Sequence, residues 1–510
     1  MSQEVQYSSL FKSLELSVKK YPEQIAFVCG EERITYKSFF LRVNDVASKL
    51  YKVNGLRKND KIILALGNNI DFCEVFYAAM SLGIIVIPIS TKLTTNEIKP
   101  LIEQIKPSWI LCNQKQINKY QGLLSPHTTI DTVESWEIKC EKTIYKSFVG
   151  KVEVNKNDTS VVIFTSGTTG KPKGAMLTHS NILHAIAAYQ DNFNLTEKDS
   201  TVLAVPISHV TGLVAILGVF IQIGGCIHLH EKFVSNKIIN CIDKDKITFL
   251  HGSPTVFILL CNEIKNTEKK YELESLRKIA CGGGHLNDAT INNIQESFKN
   301  SKIHPVYGLS ETSSPASIFT ENVINHEKIG SSGKAIPGVY FSIRNDKKEE
   351  LTAGEAGELW IKGSVVITSY WCNADANKES FSGGWFNSGD LAYIDNEGYL
   401  YIKGRLKDMI NRGGEKIYPL EVENLLTNYP GVNEVAIVPY PSEVYGEECI
   451  AFIITDTSRT ITTKEIIEWA FINLARYKIP RKVVFVVDLP RTNNGKINKR
   501  ILKDNIQKYL

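Results

Sequence analysis

Thr165-Ser-Gly-Thr-Thr-Gly-Lys-Pro-Lys173 brings four hydroxyls, two glycines and two lysines together in one short run. It follows Val161-Val-Ile-Phe164, an apolar run that reads as a buried strand, and precedes Ser180 to Ala188, where apolar residues recur at helical spacing. Gly167 and Gly170 let the backbone turn its N–H groups toward one anion. Thr165, Ser166, Thr168 and Thr169 add neutral donors, and Lys171 and Lys173 add charge. Such a loop suits the phosphates of a nucleotide. It lacks the G-x-x-x-x-G-K-[ST] spacing of a Walker loop, which excludes a P-loop NTPase.

The pattern on either side is α/β. Lys61 to Leu66, Ile84 to Pro88, Trp109 to Cys112, Thr248 to His251 and Ile279 to Cys281 are short apolar runs alternating with helical stretches such as Phe72 to Ser81. After about Gly338 the pattern changes to alternating strands, Val339 to Ile343 and Gly357 to Lys362, between acidic and glycine turns. A charged turn, Gly404-Arg-Leu-Lys-Asp408, then precedes a compact alternation of strand and helix: Val435 to Pro439, Glu448 to Thr455, Lys464 to Leu474 and Val483 to Val487. The expected architecture is a large amino-terminal α/β domain, residues 1–404, with a β-rich subdomain at about 338–404. A small mobile α+β lid follows at 408–510, hinged at 405–407.

The 510 residues exceed one core, so at least two domains are expected. With Lys+Arg 59 against Asp+Glu 55 and no basic block, nucleic acid is not an expected partner. The ten cysteines are scattered singly, with no C-x-x-C pair and no Cys/His cluster at metal spacing. They read as core thiols of a reducing compartment. Met1-Ser-Gln-Glu-Val-Gln6 has no charged-then-apolar signal pattern, so the expected location is the cytoplasm. The longest apolar run, Leu213 to Ile227, is interrupted by Gln222 and Gly224-Gly225 and is shorter than the roughly 20 residues that span a bilayer. It reads as a buried helix and strand.

Val306-Tyr-Gly-Leu-Ser-Glu-Thr312 sets a carboxylate just after a strand and a glycine. Beside polyphosphate, Glu311 has an evident use in holding Mg²⁺, which binds oxygen ligands. Trp385-Phe-Asn-Ser-Gly-Asp-Leu391 places an acid after a glycine turn, and a short carboxylate can accept from both hydroxyls of a ribose. Leu489-Pro-Arg-Thr-Asn-Asn-Gly-Lys496 is a polar turn ending in a lysine.

In this order, and over nearly the whole chain from about Tyr36 to Arg500, these segments resemble the adenylate-forming superfamily of acyl- and aryl-CoA ligases, peptide-synthetase adenylation domains and luciferases. The resemblance is closest in look to acyl- or aryl-CoA ligases. It implies ATP, Mg²⁺ and coenzyme A, and a two-step reaction: a carboxylate attacks the α-phosphorus of ATP to give an acyl-adenylate, and a thiol then displaces AMP. By the same resemblance the loop from Thr165 to Gly170, with Lys173, holds phosphates. Glu311 binds the metal, Ser310 contacts the α-phosphate region, and Tyr307 stacks near adenine. Asp390 holds the ribose, Arg405 contacts ribose or phosphate, Lys407 is the hinge, and Lys496 bridges carboxylate and phosphate during adenylation. Ser310 stands where threonine is usual.

His209, in Pro206-Ile-Ser-His-Val-Thr-Gly212, matches a histidine at the meeting of acid pocket and thiol channel. Gly282, Gly283 and Gly284 match the pocket-lining segment, with Gly284 and His285 replacing the usual alanine and proline. Gly413 and Gly414, in Arg412-Gly-Gly-Glu415, match the loop that completes the thiol tunnel. No acidic residue lies between Ala204 and Gln222 to hold an α-amino group, so a free amino acid is not the expected substrate. The expected acid is a fatty acid. Aryl acids, o-succinylbenzoate and a carrier-protein thiol in place of coenzyme A remain open alternatives.

Overall fold

The computed structural model describes residues 7–140, 152–165, 172–284, 286–456, 460–492 and 496–509. Among these, the strands form four sheets. A six-stranded sheet runs Thr129–Thr132, Trp109–Cys112, Lys61–Ala65, Ile85–Pro88, Thr159–Thr165, Lys173–Thr178. All its pairs are parallel except the last. In the nine-stranded sheet, Ile25–Cys29, Cys226–Leu229, Ser200–Leu203, Phe249–Gly252, Lys278–Gly282 and Lys302–Tyr307 are successive parallel neighbours, with antiparallel strands at both edges.

Helices between these two sheets carry the main core, in which Phe39, Phe76, Tyr77 and Phe220 meet Ile62 of one sheet and Phe27 and Phe249 of the other. Each such fully buried side chain contributes about 1.5–3 kcal/mol relative to exposure. The helix Ile70–Leu82 shows why the sequence folds this way. Asn69 accepts from Phe72 N at its start, Gly83 ends it in the left-handed region, and it is buried from Phe72 to Leu82 save Glu74. A helix apolar on all sides has to lie between layers.

The third sheet pairs Val339–Arg344, Gly357–Gly363, Trp385–Ile394 and Leu400–Arg405 in antiparallel order, with the short strand Phe381–Ser382 beside Trp385–Ile394. A fourth sheet, from Ile410 to Phe485, packs helices Pro419–Thr427 and Thr463–Asn473 around Ile417, Ile437, Ile453 and Ile466. The short helix Lys499–Asp504 contributes Leu502 to a separate cluster with Val438, Ile450 and Phe452.

The element after the opening loop is a strand and not the helix read from sequence. Lys173–Thr178 is a strand, and the helix His179–Phe193 begins directly after it, with Thr178 and Asn181 forming a capping box. Ser166, Gly167, Thr168, Thr169, Gly170 and Lys171 lie outside the described residues, but their ends are paired, Thr165 opposite Lys173. The strands Thr159–Thr165 and Lys173–Thr178 on either side therefore pair as an antiparallel hairpin. No described helix is long and apolar enough to cross a membrane.

Candidate active site

Four neighbouring parallel strands of the nine-stranded sheet, Ser200–Leu203, Phe249–Gly252, Lys278–Gly282 and Lys302–Tyr307, end on one side. Their carboxyl ends lead to His209, Thr255, Gly282 to Gly284, and Tyr307 with Glu311, as expected of ligand sites in parallel sheets. The hairpin of the six-stranded sheet meets them there. Glu311 Oε1 accepts from Thr165 Oγ1 at 3.3 Å and from the Tyr370 hydroxyl at 3.0 Å. Tyr370 is placed by main-chain bonds on either side of it, Met176 N to Ser369 O and Trp371 N to Gly174 O. Burial first, and then Glu311, push the Tyr370 phenol well up, so it stays a proton donor.

Lys173 is buried, with its ammonium 5.3 Å from the centre of the Tyr370 ring. Ser310 is half-buried in the single 3₁₀ turn Ser310–Thr312 beside Glu311. Hydroxyls alone satisfy only part of the acceptor capacity of a carboxylate. An oxygen-seeking divalent cation fits Glu311 on that ground.

Next to this group, strand pairing sets Asp390 directly opposite Arg405. Arg405 Nε lies 2.6 Å from Asp390 Oδ1, and the Tyr307 hydroxyl donates to Asp390 Oδ2 at 2.6 Å. Ser388 ties the pair down, its Oγ accepting from Asp390 N and its carbonyl from Arg405 Nη1. Burial raises the Asp390 carboxyl, against the opposing pull of Arg405 and of the Tyr307 hydroxyl.

Lys496 comes to the same place from the far end of the chain. Main-chain bonds from Thr492 N to Lys496 O and from Asn498 N to Pro490 O close the turn that carries it. Arg491, ion-paired to Glu434, donates to Thr255 Oγ1 at 3.4 Å and so ties that turn to the amino-terminal part. Burial and Arg405 lower the Lys496 ammonium, while Asp390 and Glu311 pull it up. As a residue Lys496 is exposed. Both observations fit a side chain in an open cleft, with protein around its ammonium and solvent above.

His209 lies on the loop after Ser200–Leu203, and its Nε2 is buried without a hydrogen-bond partner. Burial, and then Lys496, lower its pKa to about 4, so the ring is neutral in the physiological range. Such a nitrogen is open to a ligand. The loop doubles back so tightly that a Cβ on Gly212 would lie 2.5 Å from Pro206 O, and a π-helix, Thr211–Gly218, begins there. Gly282 is equally confined, its Cβ position 2.5 Å from Val306 O, whereas Gly283 and Gly284 are exposed. His285 lies outside the described residues.

The His209 loop has an anchor that sequence motifs did not single out. Asn68, buried, accepts from Ile207 N at 2.9 Å and reaches the carbonyls of Val205 at 2.9 Å, His230 at 3.2 Å and Leu203 at 3.4 Å. Asn68→Ala leaves several buried main-chain groups unpaired, at a cost of roughly 1–3 kcal/mol. Chemical denaturation should show that loss, and the KM for the acid should rise more than the KM for ATP. Unchanged stability and acid KM would refute the anchoring role.

Three of the sequence-derived positions stay apart from this cluster. Lys407 is exposed in the short turn Leu406–Asp408. Gly413 and Gly414 form the exposed tip of the hairpin between Ile410–Arg412 and Glu415–Ile417. Arg412 at its base is held by Glu448 at 3.2 Å and stacks 3.6 Å from the Tyr445 ring centre. The structure thus brings Lys496, and not this hairpin, to the Asp390–Arg405 pair.

Comparison with known proteins covers nearly the whole chain. Residues 14–371 match the family described as AMP-binding enzyme, and residues 421–496 match the AMP-binding enzyme C-terminal domain. The long-chain-fatty-acid–CoA ligase FadD13 of Mycobacterium tuberculosis is 29% identical over 479 residues, covering 92% of this chain and 93% of that protein. ATP-bound MatB from Rhodopseudomonas palustris superposes with a TM-score of 0.90 at 26% identity, over 98% of this chain and 99% of that one. The o-succinylbenzoate coenzyme A synthetase MenE of Bacillus subtilis, in complex with ATP and magnesium ion, superposes with a TM-score of 0.85 at 28% identity, over 96% and 99%.

Proposed function

This chain belongs to the AMP-binding enzyme family and is an AMP-forming acyl-CoA synthetase, and from that premise we propose that the acid it activates is a fatty acid. The supporting observation is the apolar character of the side chains beside the carboxyl ends of the parallel strands, Val202, Ala204, Phe233, Leu250, Val256 and Phe257 among others, which leave a gap of only about 10 Å³ and would have to part to admit an acyl chain. Its described lining holds no lysine or arginine, the groups that would favour a second carboxylate. The similarity to FadD13 points the same way, and that to MenE keeps an aryl dicarboxylate as the rival.

The domain and residue roles are those the family resemblance implies, and the placement of the described side chains supports them. Residues 1–404 bind nucleotide and acid, 408–510 act as the lid, and the turn at 405–407, with Lys407, is the hinge. Thr165, Ser166, Gly167, Thr168, Thr169, Gly170 and Lys173 hold the terminal phosphates. Ser310 contacts the α-phosphate, Tyr307 lies along the adenine, Asp390 takes the ribose, and Arg405 contacts ribose or phosphate. Glu311 is the protein ligand for Mg²⁺. When bound, that ion offsets phosphate charge as the leaving pyrophosphate departs. Lys496 sits between the two anions that must meet, the carboxylate and the α-phosphate, and offsets their repulsion.

Neutral His209 stands where acid pocket and thiol path join, and Gly282, Gly283 and Gly284 form the pocket wall. Rotation about Lys407 withdraws Lys496 and brings the hairpin at Gly413 and Gly414 to the thiol arm. Coenzyme A is the acceptor, and the cytoplasm is the compartment, in keeping with cysteines that are free among the described residues.

Pyrophosphate release from ATP, measured with coenzyme A and a panel of acids, tests this reading. Fatty acids of increasing chain length should give the highest kcat/KM, and the thioester should form on coenzyme A without a carrier protein. Preference for o-succinylbenzoate or a benzoate would overturn the substrate class, and thioester formation only on a carrier protein would overturn the acceptor.

A further inference from the structure

Away from the nucleotide cleft, the strand Cys226–Leu229 and the helix Ser235–Asp245 bring three ligand-bearing side chains together. The donor atoms of His228, Cys241 and Asp245 all lie within 4.8 Å of one another. His228 Nδ1 is 3.2 Å from Cys241 Sγ and 3.8 Å from Asp245 Oδ2. Cys241 and Asp245, four residues apart, share one face of the helix. His228 and Cys241 are buried, and Asp245 stands at the outer edge.

The arrangement is not that of a cysteine nucleophile. In a thiol–imidazole–carboxylate triad the thiol and the acid flank opposite ring nitrogens. Here both face Nδ1, so nitrogen, sulfur and oxygen converge on one point. Imidazole, thiolate and carboxylate together suit a borderline-soft divalent cation.

We propose that His228, Cys241 and Asp245 form a binding site for a thiophilic divalent cation of the zinc class, with a fourth position open to water. The cation would join strand to helix at the edge of the amino-terminal core, as a structural site. On binding, the Cys241 thiol gives its proton to solvent as the sulfur–metal bond forms. His228 donates the Nδ1 lone pair and keeps its proton on Nε2. Because the thiol must lose its proton to bind, uptake releases one proton.

The other titratable or charged groups with an electrostatic influence on the cluster are Arg33, Cys226, His230 and, through Cys226, Cys29. Arg33 Nη2, 4.0 Å from Asp245 Oδ1, is the competing cation, and its side chain is 61% exposed and free to withdraw into water. None of the residues assigned to adenylation takes part, so this proposal stands apart from the substrate reading.

The test uses the full chain after chelation, titrated with Co²⁺ as the spectroscopic probe. One equivalent should bind with a thiolate-to-cobalt charge-transfer band, displaced by Zn²⁺ and not by Mg²⁺, and Zn²⁺ should raise the Tm. Cys241→Ser should abolish the band. Asp245→Asn, at an exposed position, should weaken Co²⁺ binding at least about tenfold, with pyrophosphate-release activity in the absence of added zinc or cobalt unchanged. His228→Gln serves as a second ligand variant should Cys241→Ser not fold. Absence of a stoichiometric band, or a band that survives Cys241→Ser or His228→Gln, or Asp245→Asn binding Co²⁺ as tightly as the parent, would each overturn the site.

Discussion

Replacing Lys496 with alanine should slow acyl-adenylate formation by about 10²–10³-fold while leaving thioester formation from a supplied acyl-adenylate within about threefold of the parent. The size follows from charge. Two unit anions 4 Å apart at an effective dielectric of about 20 repel by about 4 kcal/mol, close to a factor of 10³ in rate. In the first half-reaction a carboxylate approaches phosphate, and Lys496 is a cation of the carboxyl-terminal part that shares an electrostatic neighbourhood with Glu311, Asp390 and Arg405. In the second a thiol meets an acyl-adenylate, so two full anions are not driven together. ATP–pyrophosphate exchange measures the first step and single-turnover thioester formation the second. Equal losses in both, or exchange that survives intact, would remove Lys496 from its assigned step. Its exposure predicts that Tm changes little, which separates a lost charge from a lost fold.

The lid that carries Lys496 is braced from within. Arg412 is engaged by Glu448 and Tyr445 inside its own domain, and Gly413 N donates to Tyr445 O. For the hairpin to serve the thiol step, the domain carrying it therefore has to turn as a unit. Under the proposed roles, this arrangement, with Lys496 beside Asp390 and Arg405 and the glycine hairpin outside the cluster, is the one that adenylation would use.

Residues that carry their chemistry in a local motif are legible in the sequence itself. Thr165, Glu311, Tyr307, Asp390, Arg405 and Lys496 each stand in a short polar segment at a strand end or turn, and they converge in space. Residues that act by supporting others carry no such mark. Asn68 is one of two asparagines in an ordinary turn, and its function lies in four main-chain groups more than a hundred residues away. Tyr370 meets Glu311 only because its segment hydrogen-bonds to the strand Lys173–Thr178. That strand is itself hidden in the sequence, because Lys173-Gly-Ala-Met-Leu-Thr178 is short and runs straight into a capped helix. The His228–Cys241–Asp245 group is hidden for a related reason. Its residues are spaced by a strand and a helix, not by the close intervals of a linear metal motif.

Burial makes the Asp390–Arg405 pair asymmetric, and the two single deletions should therefore differ. The Asp390 side chain is 5% exposed and that of Arg405 39%. Arg405→Ala strands a carboxylate away from water, and losing one partner of a buried pair costs about 3–5 kcal/mol. Asp390→Ala leaves a guanidinium that still reaches solvent and the Ser388 carbonyl, so its cost is about 1–3 kcal/mol. Both variants should raise the KM for ATP, because each removes a group assigned to the nucleotide. pH separates the stability effect from the binding effect. Burial already raises the Asp390 carboxyl, and Arg405 is the largest influence opposing that rise. Without Arg405 the folded-state pKa climbs further above the unfolded value. Between those two values the native state holds more protons than the unfolded chain, so stability falls as pH rises. The deficit of Arg405→Ala relative to the parent should accordingly shrink as pH falls toward the ordinary carboxylate range and grow toward neutrality. Denaturant melts at paired pH values measure it. A deficit independent of pH, or Asp390→Ala proving the more destabilising of the two, would show that the buried carboxylate is not what Arg405 is there to hold.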